Sequence, residues 1–234
     1  FDINPQAVRN AEEKMGAKGF DDAEKLCAWA DIVLLAVKPQ VLKKAVEPLK
    51  KALPGKAVAS IAAGWKVEQL TELLPGSRIC RIMPNTPVKI GKGTVPFTCS
   101  RQVTENVKTE FKKVLGYAGV LAEVEENKID AIGALAGSGP AFVYEFIDAL
   151  ATAGVECGLK KADALEFAEQ TVAGAAELAL YSGVHPQILK DEVMSPGGTT
   201  VEGVHALEKG GFKNAVMNAV VAAYYKTLAM KSKK

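Results

Sequence analysis

The clearest candidate for a ligand site in this sequence is a glycine turn that carries hydroxyl groups on both sides. Gly197 and Gly198 have no Cβ, so the backbone can take a left-handed conformation there and approach a ligand closely. Thr199 or Thr200 could cap the helix that follows. The start of a helix offers free N–H groups and the positive end of the dipole, which favour a carboxylate or a phosphate. Together with the hydroxyl of Ser195, these groups predict a binding site for a small anion. The alternative is an ordinary capped helix without a ligand.

Three predicted strands in the first half of the chain end in residues suited to a bound nucleotide. Small residues follow two strands at 36–39 and 61–64, and residues 81–87 combine two prolines with an asparagine and a threonine. Ligands of open α/β sheets bind beyond the carboxyl ends of the strands. Each segment alone would be an ordinary strand-to-helix turn, but three in one sheet predict a nucleotide crevice.

Asp2 stands where a Rossmann unit carries the acid that binds the ribose of a dinucleotide, provided that Phe1 closes the preceding strand. The glycine-rich phosphate loop would then precede Phe1, so we expect a strand and a glycine loop before this segment. A carboxylate at this position accepts a hydrogen bond from a 2′-hydroxyl and repels a 2′-phosphate, which favours NADH. The alternative is an aspartate that only caps the first helix.

The pattern around these residues predicts two domains. In residues 1–125, continuous apolar runs alternate with helical segments, which is typical of a doubly wound α/β, Rossmann-like domain. Residues 126–234 show helical periodicity alone, so we expect an all-α C-terminal domain. The strands are expected at 31–37, 57–62, 78–83, 93–99 and 120–124.

Two helices of the second domain, at 140–157 and 161–181, carry apolar residues on most faces. A helix that is apolar all round must be buried. A helical domain of this size cannot bury so many apolar faces by itself. We therefore expect a homo-oligomer whose helices pack across subunits.

The composition argues against several classes of function. The 29 basic and 27 acidic residues nearly cancel, so neither nucleic acid nor a membrane is an expected partner, and the basic residues at 231–234 are predicted to form a solvated tail. The four cysteines, at 27, 80, 99 and 157, are widely spaced among apolar neighbours. They are expected to be buried free thiols in a reducing compartment, the cytoplasm. With two histidines in the chain, no metal site is expected.

Four blocks of the sequence resemble the pyrroline-5-carboxylate reductase family, in the family's order. They are Ala-Val-Lys-Pro at 36–39, Arg-x-Met-Pro-Asn-Thr-Pro at 81–87, Gly-Ser-Gly-Pro-Ala at 137–141, and Ser-Pro-Gly-Gly-Thr-Thr at 195–200. The resemblance implies reduction of the cyclic imine 1-pyrroline-5-carboxylate to L-proline with NADPH or NADH. It also implies a Rossmann domain followed by a helical dimerisation domain, in a homodimer that can assemble into a decamer.

The resemblance also implies roles for individual residues. The substrate carboxylate is expected at the N–H groups of the glycine turn, and the hydroxyl of Thr200, the catalytic candidate, is expected to hydrogen-bond the ring nitrogen. A protonated imine is already electrophilic, so orientation and one hydrogen-bonding group suffice without an acid–base pair. The implied substrate-binding residues are Ser195, Gly197, Gly198, Thr199 and Thr200. The implied cofactor-binding residues are Ala36, Val37, Lys38, Pro39, Ile61, Ala62, Ala63 and Asn85, to which the position of Asp2 adds that residue.

Two other functions are compatible with a Rossmann domain followed by helices. A β-hydroxyacid dehydrogenase of the 6-phosphogluconate type would need a lysine on a helix that faces the substrate, and residues 137–157 contain none. A nucleotide-sensing or dimerisation module without catalysis would not require the hydroxyl groups of residues 195–200. The sequence therefore favours the reductase.

Overall fold

The computed structural model describes residues 1–231, so most of the predicted tail at 231–234 lies outside the described residues. The chain divides into two compact units. The first is Phe1–Gly137 together with the chain from Thr227, and the second is Ser138–Lys226. The strands of the described residues all belong to the first unit, and the second unit is helical.

A five-stranded sheet with the order β1-β2-β3-β4-β5 forms the centre of the first unit. Its first three strands are parallel, as the apolar runs predicted. β4 runs antiparallel to β3, and β5 runs parallel to β4. The reversal follows from the link between β3 and β4, where a short 3-10 turn stands in place of the long helical crossover that a parallel pair requires. The strands are β1 (Ile32–Leu35), β2 (Ala57–Ser60), β3 (Arg78–Ile82), β4 (Gly93–Cys99) and β5 (Gly119–Glu123).

One helical segment of the first unit changes its type along its length. Leu42–Val46 is a five-residue α-helix, and a 3-10 helix, Glu47–Lys51, follows it directly. Pro48 explains the change, because it has no N–H to continue the α-helical ladder. The helices of the first unit are α1 (Pro5–Met15), α2 (Ala23–Trp29), α3 (Leu42–Val46), α4 (Val67–Leu73), α5 (Glu105–Leu115) and α6 (Glu126–Ile132). They are followed by α7 (Gly139–Glu156), α8 (Lys161–Ser182), α9 (Pro186–Glu192), α10 (Thr199–Lys209) and α11 (Phe212–Lys231).

Two apolar clusters, one on each face of the sheet, form the core of the first unit. Successive residues of β2 show the division, since Val58 belongs to one cluster and Ala57 and Ala59 to the other. The first cluster includes residues of β1, β2 and β3, so the carboxyl ends of these strands rest on packed side chains.

The second unit leaves much of its apolar surface exposed in the single chain. α8 buries only Ala164 and Ala168, while Leu180 and Tyr181 are 84% and 92% exposed. A single chain therefore does not supply the burial that the apolar pattern of this helix predicts. Exposed apolar surface of this kind is typical of a face that another protein covers.

The expectation of four buried free thiols is wrong for three of the cysteines. Cys80 and Cys99 lie opposite each other in β3 and β4 and form a disulfide. Cys157 is free but exposed. Cys27 is free and buried, and burial raises the pKa of its thiol. The sequence could not reveal the disulfide, because the two cysteines become neighbours only through the antiparallel register.

Among residues 1–231, no helix combines the length and the apolar character that crossing a membrane would require.

Candidate active site

The predicted glycine turn, residues 195–200, connects α9 to α10. Gly197 has φ +67°, the left-handed conformation that glycine adopts without strain. Gly198 is the N-cap of α10, and no side chain caps this helix. The expectation that Thr199 or Thr200 caps the helix is therefore wrong. They are its first two residues, because the extended backbone of Gly198 already occupies the cap position.

The turn depends on glycine at position 198 for a steric reason. The N–H of Gly198 donates to the carbonyl oxygen of Ser195 at 3.0 Å, which closes the turn. A Cβ on Gly198 would clash with Ser195 Oγ and lie 3.1 Å from that carbonyl oxygen. Glycine at 198 thus leaves the Ser195 side chain lying against the start of the helix.

The turn presents several hydrogen-bonding groups to solvent. The N–H of Gly198 is already used, but those of Thr199 and Thr200 have no acceptor among the described residues. The side chains of Ser195, Thr199 and Thr200 are exposed, and none hydrogen-bonds within the part of the chain described. The helix dipole adds a partial positive charge at this end. Thus the turn can bind a carboxylate and still offer a free hydroxyl group.

The segments predicted to bind a cofactor come together in the first unit. Leu35 and Ser60 end β1 and β2 in register, so the following residues leave the sheet at the same edge. The N–H of Ile61 donates to the carbonyl oxygen of Leu35 at 3.3 Å, and Trp65 Nε1 donates to the carbonyl oxygen of Pro39 at 3.1 Å. We call residues 36–39 and 61–63 the cofactor edge.

Small side chains make the cofactor edge accessible. Ala36 and Ala63 are exposed, and Lys38 is the exposed cation of the edge. Val37, Pro39 and Ile61 are half-buried, and Ala62 is buried, so it supports the edge from beneath. The exposed alanines suit a flat ligand, and the lysine suits its phosphate groups, so these residues fit a nicotinamide dinucleotide.

Asn85 lies at the end of the third strand, but its amide is engaged with the backbone. Its Nδ2 donates to the carbonyl oxygen of Ala136 at 3.0 Å, and its Oδ1 accepts the N–H of Thr94 at 2.9 Å. The side chain therefore connects β4 to the segment that follows α6. Contact between Asn85 and a cofactor stays a prediction.

Asp2 shapes the turn before α1. Its Oδ1 accepts the N–H of Asn4 at 2.8 Å, and Asn4 in turn caps α1 by accepting the N–H of Gln6 at 3.0 Å. The side chain of Asp2 is exposed, and only one of its oxygens is used in the described residues. The alternative that Asp2 caps the first helix is therefore wrong, because Asn4 is the cap and Asp2 binds the N–H of Asn4 instead. Contact between Asp2 and a ribose stays a prediction.

Sequence reasoning missed a buried ionic cluster below the end of β3. The side chain of Arg81 is 4% exposed, and it pairs with Glu126 at 3.2 Å and with Asp130 at 2.9 Å. The available signal was an arginine within the apolar strand Ile-Cys-Arg-Ile. Since such a strand is buried on both faces, its arginine must have acidic partners.

Models of known protein families match both the first and the second part of the chain. A family model described as pyrroline-5-carboxylate reductase dimerisation matches residues 126–230, and one described as NADP oxidoreductase, coenzyme F420-dependent, matches residues 2–64. Pyrroline-5-carboxylate reductase of Arabidopsis thaliana is 43% identical over 92% of this chain and 78% of its own length.

Two solved structures are also similar along most of the chain. Plasmodium falciparum pyrroline carboxylate reductase with NADP bound has a TM-score of 0.85 at 34% identity, and the match covers 93% of this chain and 84% of that one. A pyrroline-5-carboxylate reductase from Coxiella burnetii has a TM-score of 0.88 at 33% identity, over 96% of this chain and 84% of that one.

Proposed function

This chain belongs to the pyrroline-5-carboxylate reductase family, and on that basis we propose that it reduces 1-pyrroline-5-carboxylate to L-proline, the last step of proline biosynthesis. The observation that carries the proposal is the glycine turn. It combines unpaired N–H groups at the start of α10 with hydroxyl groups that have no partner in the described residues. A small molecule with a carboxylate next to a ring nitrogen matches both kinds of group.

The residues of the glycine turn bind and orient the substrate in this proposal. The N–H groups of Thr199 and Thr200 hold its carboxylate with help from the Ser195 hydroxyl, and Gly197 and Gly198 allow the close approach. The Thr200 hydroxyl then reaches the ring nitrogen, where it can accept a hydrogen bond from the protonated imine. Because that imine is electrophilic, the chain contributes orientation and one polar contact, and no proton transfer from a side chain is required.

NADPH or NADH, when bound, supplies the hydride. We assign its binding to the cofactor edge, with Asn85 and Asp2 as further contacts. The family model over residues 2–64 supports this assignment, because it includes Asp2 and the whole edge.

The second unit supports the proposed assembly. The dimerisation model starts at residue 126, where we place the functional boundary between domains 1–125 and 126–234. Leu180 and Tyr181 of α8 are exposed in the single chain, and a second copy would cover them. We propose an interlocked homodimer that assembles further into a decamer.

We also propose a cytoplasmic location, since the reaction consumes a reduced nicotinamide. The disulfide between Cys80 and Cys99 is the observation against it, because such bonds are uncommon in a reducing compartment.

A proline-forming assay with each cofactor tests the proposal. It compares this chain with a version extended before Phe1 by the residues that precede the matched region of the Arabidopsis relative. The extended chain should form proline, with a lower KM for NADH than for NADPH if Asp2 binds the ribose. Formation of no proline by either version would refute the function.

One variant separates the two roles of Asp2. Asp2→Ser keeps an oxygen that can accept the N–H of Asn4 and removes the negative charge. It should shift the preference towards NADPH if the carboxylate faces the ribose. An unchanged cofactor preference would show that Asp2 only shapes the turn.

A further inference from the structure

A row of three side chains on β3 and its continuation contacts one stretch of the chain that follows the sheet. Arg81, Met83 and Asn85 are alternate residues, and alternate residues of an extended chain point to the same side. Arg81 pairs with α6, Met83 lies against the next turn, and Asn85 binds the carbonyl oxygen of Ala136. We call these three residues the β3 row.

The contacted residues are close together in the sequence. Glu126 and Asp130 lie four residues apart on one face of α6, and Gly133, the carbonyl oxygen of Ala136 and Gly137 belong to the π-helical turn that follows. We propose, on the basis of the function above, that the β3 row is a positioning device. It fixes segment 126–137 on the sheet and thereby sets the point from which the substrate-binding helical unit begins.

The ionic contacts favour a single position of α6 on the sheet. Arg81 is 3% exposed, so a displaced α6 would leave its charge buried without partners, which costs far more than an exposed pair contributes. Glu126 Oε1 accepts from Arg81 and also accepts the N–H of Val67, at the start of α4, at 2.7 Å. One carboxylate thus ties α6 to both β3 and α4.

Two glycines allow the close packing of Met83. A Cβ on Gly133 would lie 3.4 Å from Met83 Cε, and one on Gly137 would lie 3.7 Å from the same atom. Any side chain larger than alanine at these positions would have to displace Met83. The packing therefore holds Gly133–Gly137 at a set distance from the sheet.

The segment that the row holds is irregular and ends where the second unit begins. Gly133–Gly137 is a π-helical turn, a conformation rare in proteins and frequent at functional sites. Asn85 fixes it through the carbonyl oxygen of Ala136, and Ser138 and α7 follow directly. The turn is joined directly to the part of the chain that carries the proposed substrate-binding residues. Because a reaction that depends on orientation is sensitive to small misplacements, we expect loss of the row's contacts to lower kcat.

Arg81→Met and Arg81→Lys test the proposal in the extended chain. Arg81→Met should lower kcat for proline formation by about 10- to 100-fold, while the Kd for NADPH or NADH, measured by nicotinamide fluorescence, stays within about twofold. Arg81→Lys should recover part of kcat, because it keeps the charge and loses the two-pronged contact. If Arg81→Met does not fold, Glu126→Gln replaces it, since glutamine keeps the acceptor oxygen and removes the charge.

Ser100→Ala is the matched control. It removes a buried hydrogen bond to the N–H of Ile79, on the same strand and away from segment 126–137. It should lower thermal stability and leave kcat unchanged. Loss of kcat in Ser100→Ala equal to that in the Arg81 variants, at equal loss of stability, would overturn the proposal. A parallel loss of cofactor affinity would also overturn it, because the row would then support the cofactor edge.

Backbone hydrogen exchange gives a readout that does not need activity. The Arg81 or Glu126 variant should exchange faster over residues 126–141, while Ser100→Ala should not. Unchanged exchange there refutes the positioning role even if the wild-type protein forms no proline. An inactive wild type with faster exchange in the variant would refute the proposed function alone.

Discussion

Replacing Thr200 with alanine tests the assignment on which the proposed chemistry depends. The Thr200 side chain is exposed, and it forms no hydrogen bond within residues 1–231. It is the second residue of α10, where alanine is a good helix former. The free energy of unfolding should therefore change by less than about 0.5 kcal/mol, as for most exposed substitutions.

The effect on the reaction should be much larger. If the hydroxyl hydrogen-bonds the ring nitrogen, its loss should raise the barrier by about 1–3 kcal/mol, the range for leaving one hydrogen-bonding group without its partner. This corresponds to a reduction in kcat/KM of roughly 10- to 100-fold. The measurement is proline formation under limiting substrate, with thermal unfolding followed on the same sample.

Two neighbouring substitutions make the result specific to one hydroxyl group. Thr200→Ser keeps the hydroxyl and should retain most activity. Thr199→Ala removes a hydroxyl of equal exposure one residue earlier and should have the smaller effect, since only the N–H of Thr199 has a proposed role. Wild-type kcat/KM in Thr200→Ala, or an equal loss in Thr199→Ala, would refute the reasoning.

Two further predictions concern the glycine turn and the assembly. Gly198→Ala should raise the KM for 1-pyrroline-5-carboxylate, because its Cβ would displace the Ser195 side chain; an unchanged KM would remove Ser195 from the site. Light scattering should give at least the mass of a dimer, and a stable monomer at micromolar concentration would contradict the covering of α8 by a second copy.

The sequence predicted the positions of strands and helices well because their signals are local. The apolar run at 31–37 and the alanine-rich helix at 161–182 depend on neighbours within the same segment. The direction of β4 depends on the link before it, and a pattern of apolar residues carries no strand direction. The break at Pro48 was visible in the sequence, since proline interrupts an α-helix wherever it stands inside one.

For the site, the sequence identified candidate residues, but it did not show which of their polar groups are already hydrogen-bonded within the fold. It identified the residues of the glycine turn, and it predicted the wrong cap because either threonine or Gly198 could take that position. It treated Asn85 as a candidate cofactor-binding residue, whereas in the fold both the nitrogen and the oxygen of its side-chain amide hydrogen-bond the backbone. It included Arg81 in the block at 81–87 but gave it no role, because its partners lie 45 and 49 residues away.

The magnitudes indicate which residues should matter most for this reaction. One hydrogen bond accepted by Thr200 is worth about 1–3 kcal/mol, while correct placement of two reactants can contribute about 7–11 kcal/mol. An electrophilic imine and a hydride donor need little else from the protein. Residues that never touch the substrate, such as Arg81 and Glu126, should therefore affect kcat as strongly as the hydroxyl beside the reacting atoms. Substitution of Arg81 or Glu126 should leave the affinity for the cofactor unchanged. An unchanged affinity distinguishes misplaced reactants from weaker cofactor binding.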